Sequence, residues 1–261
     1  MISTPGALRP LSSCKPLRYN GRVKVSRKSC TQESAALWDF SMPTVEDFIK
    51  PKDVALRLPL SFDSDRLGAD LDRMEPDWWH GHLGPYHDGN WEAIALWAPN
   101  GDRTSQVSKG GPFRATEALK RCNYIGDVID RFPGRKSRVR FLKLRAGGQI
   151  FRHSDPLHTI DTGIVRIHVP VRTNPSVEFF VHGRRLSMQP GDSWYVDVRF
   201  QHSVSNLGID ERVHLVIDVV PNPELSGLFA AAESSGKGML AGYFLKHSLP
   251  RRLVRWLDIG N

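Results

Sequence analysis

A chain of 261 residues that is 40% hydrophobic and 25% charged has the composition of an ordinary globular protein, long enough to bury a core. No apolar run approaches the roughly 18 to 20 residues of a membrane helix, and three cysteines without a CxxC pair (Cys14, Cys30, Cys122) argue against a disulfide framework or a structural zinc site. The net charge of +8 does not point to nucleic acid: residues 1–30 carry seven basic side chains and no acid, and taking those seven from 36 leaves 29 bases against 28 acids.

Residues 1–41 read as a basic, disordered tail; an organellar transit peptide is the alternative, but the stretch lacks an amphipathic apolar stripe. A cytoplasmic location is the expectation, because free cysteines favour a reducing compartment. Thr44 to Asp47 resembles a helix start, and Ala55 to Leu60 alternates as a strand does. Leu67, Leu71 and Met74 recur at helical spacing within 63–74. Trp78, Trp79, His80, His82 and His87 form a patch in which no carboxylate or cysteine repeats at ligand spacing, so loop and core packing accounts for it better than a second metal site. Trp91 to Trp97 reads as a strand entering a turn at Pro99 to Asp102, and 101–113 as a mobile loop. Ile125, Val128, Ile129 and Phe132 predict a helix that Pro133 and Gly134 terminate.

From Ser137 onward the texture changes to short strands separated by turn signals. Strands are predicted around Val139, over 164–171, 177–181, 193–198 and 212–219, with turns at Ala146 to Gly148, Thr173 to Pro175, His182-Gly183 and Gln189 to Asp192. No helical stretch fits between them, so the fold class is mainly β with flanking helices, an antiparallel jelly roll, and not a βαβ fold. The expected organisation is the tail, a domain over 42–221 with its β core at about 137–221, and a helical C-terminal segment over 222–261.

Within that β region His153, Ser154 and Asp155 are followed 47 residues after the aspartate by His202, and ten residues later by Arg212. Two histidines and one carboxylate can occupy one face of an octahedral iron(II), leaving three positions open. An HxD alone is common by chance; the ordered set on β-patterned sequence is much more specific. His158 is a weaker candidate ligand, better read as a neighbour of the site. Strand alternation adds a second signal. Val165, Ile167, Val169 and Val171 share one face while Arg166 and His168 share the other, and the pattern repeats with Val213, Leu215 and Ile217 against Arg212 and His214. Two strands that each carry an Arg-x-His pair suit a polar pocket better than a solvent face, and an arginine fork pairs bidentately with a carboxylate.

The runs from Arg138 to Asp155, Arg166 to Pro175, Gln189 to Asp197, His202 to Asn206 and Arg212 to Asp218 resemble the aspartyl/asparaginyl β-hydroxylase family, which includes free-proline hydroxylases; the likeness extends over most of 85–224. The resemblance implies a double-stranded β-helix (cupin-like) and an Fe(II)/2-oxoglutarate-dependent dioxygenase using O2. It makes His153, Asp155 and His202 the metal ligands, Arg212 the anchor of the co-substrate's distal carboxylate, and Arg166 with His168 further co-substrate contacts. Trp194, Asp197 and Asn206 are framework positions of the motif. The retained Asp155 lies closer to the proline-hydroxylase members and favours hydroxylation of a small amino acid or derivative. A peptidyl aspartyl or asparaginyl side chain and a non-catalytic cupin-like binding module stay open as alternatives, and a zinc hydrolase is the weakest, since no general base recurs beside the triad. No nucleic-acid or membrane partner is expected, and the sequence leaves the oligomeric state open.

Overall fold

The computed structural model describes residues 53–107, 110–156 and 163–234, together with a two-residue ladder between Arg18–Tyr19 (β1) and Arg22–Val23 (β2). The expected helix start at Thr44, most of the basic tail, His158 and residues 235–261 lie outside the described residues. Contacts divide the chain into two units, Met1–Met42 and Pro43–Asn261. Among the described residues no helix is long and apolar enough to cross a membrane.

The second unit begins with Ala55–Ser61 (β3) and the helix Ser64–Leu71 (α1), followed by His80–Gly81 (β4), Trp91–Pro99 (β5) and Phe113–Ala115 (β6). Two short helices, Glu117–Lys120 (α2) and Ile125–Asp130 (α3), precede the strands Lys136–Leu144 (β7), Gln149–His153 (β8), Val165–Arg172 (β9), Val177–Val181 (β10), Arg184–Leu186 (β11), Asp192–Val196 (β12), His202–Asn206 (β13) and Arg212–Val219 (β14). The helix Pro223–Ala230 (α4) and the short strand Glu233–Ser234 (β15) complete the described part.

From β7 on, the chain passes back and forth between two antiparallel sheets. The larger runs β15-β3-β12-β9-β14-β7-β5-β4, with β6 on β5; the smaller runs β11-β10-β13-β8. This alternation is the jelly roll expected from the strand spacing, and it is the double-stranded β-helix that the resemblance implies. Its handovers use the predicted turns. His182 and Gly183, at φ 51° and 77°, form the two-residue hairpin between β10 and β11. Gly191 has φ 82°, and a Cβ there would run into the carbonyl oxygen of Phe62, which no larger residue could accommodate. The Asn206 amide bridges three backbone carbonyls, those of Leu144, Arg145 and Asp210, which fixes the end of β13 against the end of β7.

The central strands are buried on both faces, and the two faces do different work. Val165, Ile167, Val169 and Val171 of β9 join Val213, Leu215, Ile217 and Val219 of β14 in one apolar cluster with Leu67, Ile125, Val128 and Phe229 from the helices. A second cluster, including Leu144, Ile150, Phe179, Val196 and Val204, draws from both sheets. Arg166, His168, Arg212 and His214 lie on the opposite face of β9 and β14 and are buried too. The helices therefore cover the larger sheet's outer face, and its polar inner face is enclosed by the smaller sheet. Two elements carry little signal in sequence: β6, and α2, which is nucleated by the Thr116 hydroxyl accepting from the Leu119 amide.

Asp70 couples the helical layer together. It is 2% exposed, and its carboxylate accepts the backbone N–H groups of Asn123, Tyr124 and Ile125 at 2.8, 2.7 and 2.8 Å, so α1 holds the start of α3. Asp70→Ala leaves three N–H groups without an acceptor and should lower stability to urea by about 2 to 4 kcal/mol, with Asp70→Asn less affected because its amide oxygen still accepts.

Candidate metal centre

His153 ends β8 and His202 begins β13, and the two strands pair with these residues directly opposite each other. Asp155 follows two residues after His153, its backbone held by a bond from its amide to the carbonyl of Val198. The result is one compact set of donors: a nitrogen from each histidine and an oxygen of Asp155 all lie within 4.8 Å of one another. No other such group occurs among the described residues. Each imidazole is oriented by the carbonyl two residues before it. Nδ1 of His153 donates to Phe151 O at 2.7 Å, and Nδ1 of His202 donates to Phe200 O at 3.0 Å. With the protons placed there, both Nε2 atoms keep their lone pairs for a metal. Burial pushes the His202 imidazole down to about 4, so it is neutral at physiological pH. Burial opposes ionisation of Asp155, but Arg166, which donates from Nη1 to Oδ2 at 2.7 Å, outweighs it with help from the two histidines, and the carboxyl ionises below its usual range. Two imidazoles with free Nε2 lone pairs and one carboxylate, one oxygen of which is already taken by Arg166, fit the facial donor set of a non-haem iron(II).

Next to these donors lies a buried charge cluster. Asp218 of β14 stands in register with Arg138 of β7 on one side and Arg166 of β9 on the other. Arg166 Nε donates to Oδ1 at 2.8 Å, and Arg138 Nε and Nη2 donate to Oδ2 at 3.0 and 2.8 Å. Arg140, two residues after Arg138 on the same strand face, reaches Asp218 at 3.6 Å with Nη2, while its Nε is buried without a hydrogen-bond partner. Three guanidinium groups thus face two carboxylates, Asp218 and Asp155, which leaves an excess of positive charge in an enclosed space.

A second cationic group lies further along the same inner face. Arg212 is 2% exposed, and no carboxylate among the described residues lies within ion-pair distance of it. Its Nη2 donates to His214 Nδ1 at 2.7 Å, and its guanidinium carbon sits 5.6 Å from the Phe179 ring centroid. His168 Nδ1 is 3.3 Å from His214 Nδ1. Arg212 Nε and His168 Nε2 are both buried without partners. Burial pushes the Arg212 guanidinium down to about 9 and the His168 and His214 imidazoles well below their ordinary value. A buried arginine that lacks an anion, beside two neutral histidines, is a place for an acidic ligand.

A cavity of about 250 Å³ opens onto His153 and Asp155 and is lined also by His82, Tyr86, Trp91 and Arg140. His82 stacks on Trp91 at 3.4 Å, Tyr86 stacks on His153 at 4.9 Å, and His82 Nδ1 and Trp91 Nε1 are buried without partners. Gln106 ties this wall to the charge cluster: its side chain accepts from Leu83 N and donates to Gly81 O, and its own carbonyl accepts from Arg138 Nη1.

The sequence reading grouped His153, Asp155 and His202, and the fold brings them together. Arg166 and His168 share one face of β9, as expected, but engage different neighbours: Arg166 binds Asp155 and Asp218, while His168 lies beside His214. Arg140, Asp218 and His82 were not singled out as site residues. For Arg138 and Arg140 the two-residue alternation on β7 was the available signal; for His82 nothing in the loop sequence predicts its place.

An antiparallel jelly roll with two histidines and an aspartate converging inside it defines the class as a double-stranded β-helix protein with a facial-triad donor set. The model of the family described as Aspartyl/Asparaginyl beta-hydroxylase matches residues 66–221, more than half of the chain, and the chain belongs to that family. It is 27% identical over 163 residues to the L-proline cis-4-hydroxylase of Rhizobium meliloti (strain 1021), a match covering 61% of this chain and 58% of that relative. The chain therefore spans less than two thirds of the relative's length. Among solved structures, an oxidoreductase of the 2OG-Fe(II) oxygenase family from Burkholderia pseudomallei is 18% identical with a TM-score of 0.46, covering 64% of this chain and 85% of its own. A Pseudomonas putida prolyl-4-hydroxylase is 13% identical with a TM-score of 0.42, covering 65% and 94%.

The charge cluster sets an acid limit on the fold. Burial alone would push the Asp218 carboxyl up, but Arg166, Arg138 and Arg140 together hold it far below the usual carboxylate range. A carboxyl that ionises more readily folded than unfolded stabilises fully above its unfolded value of about 4, and that contribution falls away as pH drops below it. Asp218→Asn, which leaves three arginines without their shared anion, should cost about 3 to 5 kcal/mol at neutral pH. Urea titrations across the acid range should also show a shallower loss of stability below about pH 4 in the variant than in the parent.

Proposed function

We propose that this protein is an Fe(II)- and 2-oxoglutarate-dependent dioxygenase that hydroxylates a free amino acid or a small amino-acid derivative. The observation that carries the reading is the pairing of a three-donor metal site with Arg212, a fully enclosed cation with no anion beside it among the described residues. Bound iron(II), with dioxygen and the 2-oxo acid, supplies the chemistry: hydroxylation of a C–H bond with oxidative decarboxylation of the acid to succinate and CO2.

The residues of the chain have separable tasks. His153 Nε2, His202 Nε2 and Asp155 Oδ1 would hold the metal. Arg166 keeps Asp155 ionised and turned by binding its second oxygen. Arg212 takes the distal carboxylate of 2-oxoglutarate through its fork, with His168 along the dicarboxylate's length and His214 bracing the guanidinium. Arg140, with its unpartnered Nε, suits the carboxylate of the amino acid, and Tyr86, Trp91 and Leu142 exclude water around its carbon skeleton. The name of the relative, L-proline cis-4-hydroxylase, favours a free amino acid over an aspartyl or asparaginyl side chain in a peptide.

His153→Ala and His202→Ala should each abolish stoichiometric Fe(II) binding in anaerobic titration, and turnover with it, while circular dichroism shows the fold retained. Near-parental activity in either variant would show the ligand set to be wrong. Arg212→Met should weaken 2-oxoglutarate binding by about thirtyfold to several thousandfold, equivalent to about 2 to 5 kcal/mol, with iron affinity little changed. Arg212→Lys keeps the charge without the fork and should fall between the two. Unchanged 2-oxoglutarate affinity in Arg212→Met would remove the co-substrate from this pocket.

A further inference from the structure

The jelly roll has a second opening, separate from the one at the metal centre. A cavity of about 640 Å³ is lined by Thr173, Phe179, Arg185, Ser187, Met188 and His214, drawn from the turn after β9, from β10 and β11, from the turn before β12, and from β14. It shares no lining residue with the cavity at His153 and Asp155. Two of its buried side chains, His214 and Phe179, are the two that touch Arg212, one by hydrogen bond and one by its ring face. The seat proposed for the distal carboxylate is therefore one side chain away from this second opening.

Hydrogen-bond logic fixes what His214 presents there. Arginine can only donate, so His214 Nδ1 accepts from Arg212 and the ring proton sits on Nε2. That Nε2–H is the donor of a side chain that lines the cavity. A carboxylate entering this way meets cationic or donor groups in sequence: half-exposed Arg185 and the Ser187 and Thr173 hydroxyls toward solvent, then His214 Nε2–H, then Arg212.

We propose that this second cavity is the passage by which 2-oxoglutarate reaches Arg212 and succinate leaves, while the prime substrate uses the opening at the metal. The passage rests on the assignment of Arg212 as the carboxylate anchor. His214, which presents Nε2–H on the cavity side and holds Arg212 through Nδ1, connects the two stations of the carboxylate. Exchange of the dicarboxylates is then independent of whether the front cavity is filled.

The test is a plug. Ser187 is exposed at the cavity and lies outside the metal and co-substrate sites. Fe(II)-loaded parent and Ser187→Trp proteins are mixed anaerobically with 2-oxoglutarate, and the weak visible charge-transfer band reports its arrival and, on dilution, its departure. A blocked passage raises one barrier shared by both directions and leaves the end states alone. Association and dissociation rates should both fall by about tenfold at an unchanged Kd. A reversible version uses Ser187→Cys, capped with a bulky aromatic disulfide reagent and freed with reductant, which should restore both rates. Burial pushes the Cys122 thiol up to about 12, which slows its capping at neutral pH, and the treated parent protein controls for Cys122, Cys14 and Cys30. Parental rates in both plugged proteins, or a weakened Kd with association unchanged, would overturn the passage and leave the dioxygenase reading intact. Absence of the band in the parent protein would overturn that reading and the passage together.

Discussion

Asp218 sits at the centre of the larger sheet, and the polar interior of this protein is organised around it. One carboxylate on the middle strand β14 binds arginines from both neighbouring strands, so the register of β7, β14 and β9 is written in charge as well as in apolar packing. The cost of burying so many ions is offset only while all of them are present. Through Arg166 the same cluster reaches Asp155, and so the geometry of a candidate metal ligand depends on an anion three strands deep in the fold.

The barrel interior separates two kinds of acid recognition. Arg140 and Arg166, near the metal donors, share their positive charge with Asp218 and Asp155, which tempers their pull on a ligand. Arg212 has no such competitor and is braced by a neutral histidine in place of a carboxylate. An unshared, desolvated guanidinium binds a carboxylate more strongly than one already neutralised. Under the proposed function, this difference fits a dicarboxylate gripped at its far end and a prime substrate held more loosely, both exchanged in each cycle.

Much of this was legible in the chain itself. The alternation of Val165, Ile167, Val169 and Val171 with Arg166 and His168 correctly foretold two differently used faces, because a strand's periodicity is a local property. The spacing of His153, Asp155 and His202 was legible because one motif spans the end of one strand and the other opens its partner. What was not legible was everything set by lateral neighbours. Arg166 and His168 looked like a pair acting on one ligand, yet the strands beside them supply Asp218 to the first and His214 to the second. His82 reaches the cavity only because the loop before β5 folds its ring onto Trp91. Short elements such as α2 depend on one capping hydroxyl and a packed context, which a pattern of apolar residues does not report.

Gln106 gives the cavity wall an unusual dependency. Its side chain clamps the backbone on both sides of His82, and its carbonyl is held by Arg138, itself bound to Asp218. The loop that shapes the cavity is thus wired to the buried ion pair in the sheet, in addition to its backbone bonds to β5 and β8. A change in side-chain bulk from Leu83 to Tyr86 that keeps the Leu83 N–H leaves this anchor in place, because the loop's share of it is backbone and the side chain belongs to Gln106.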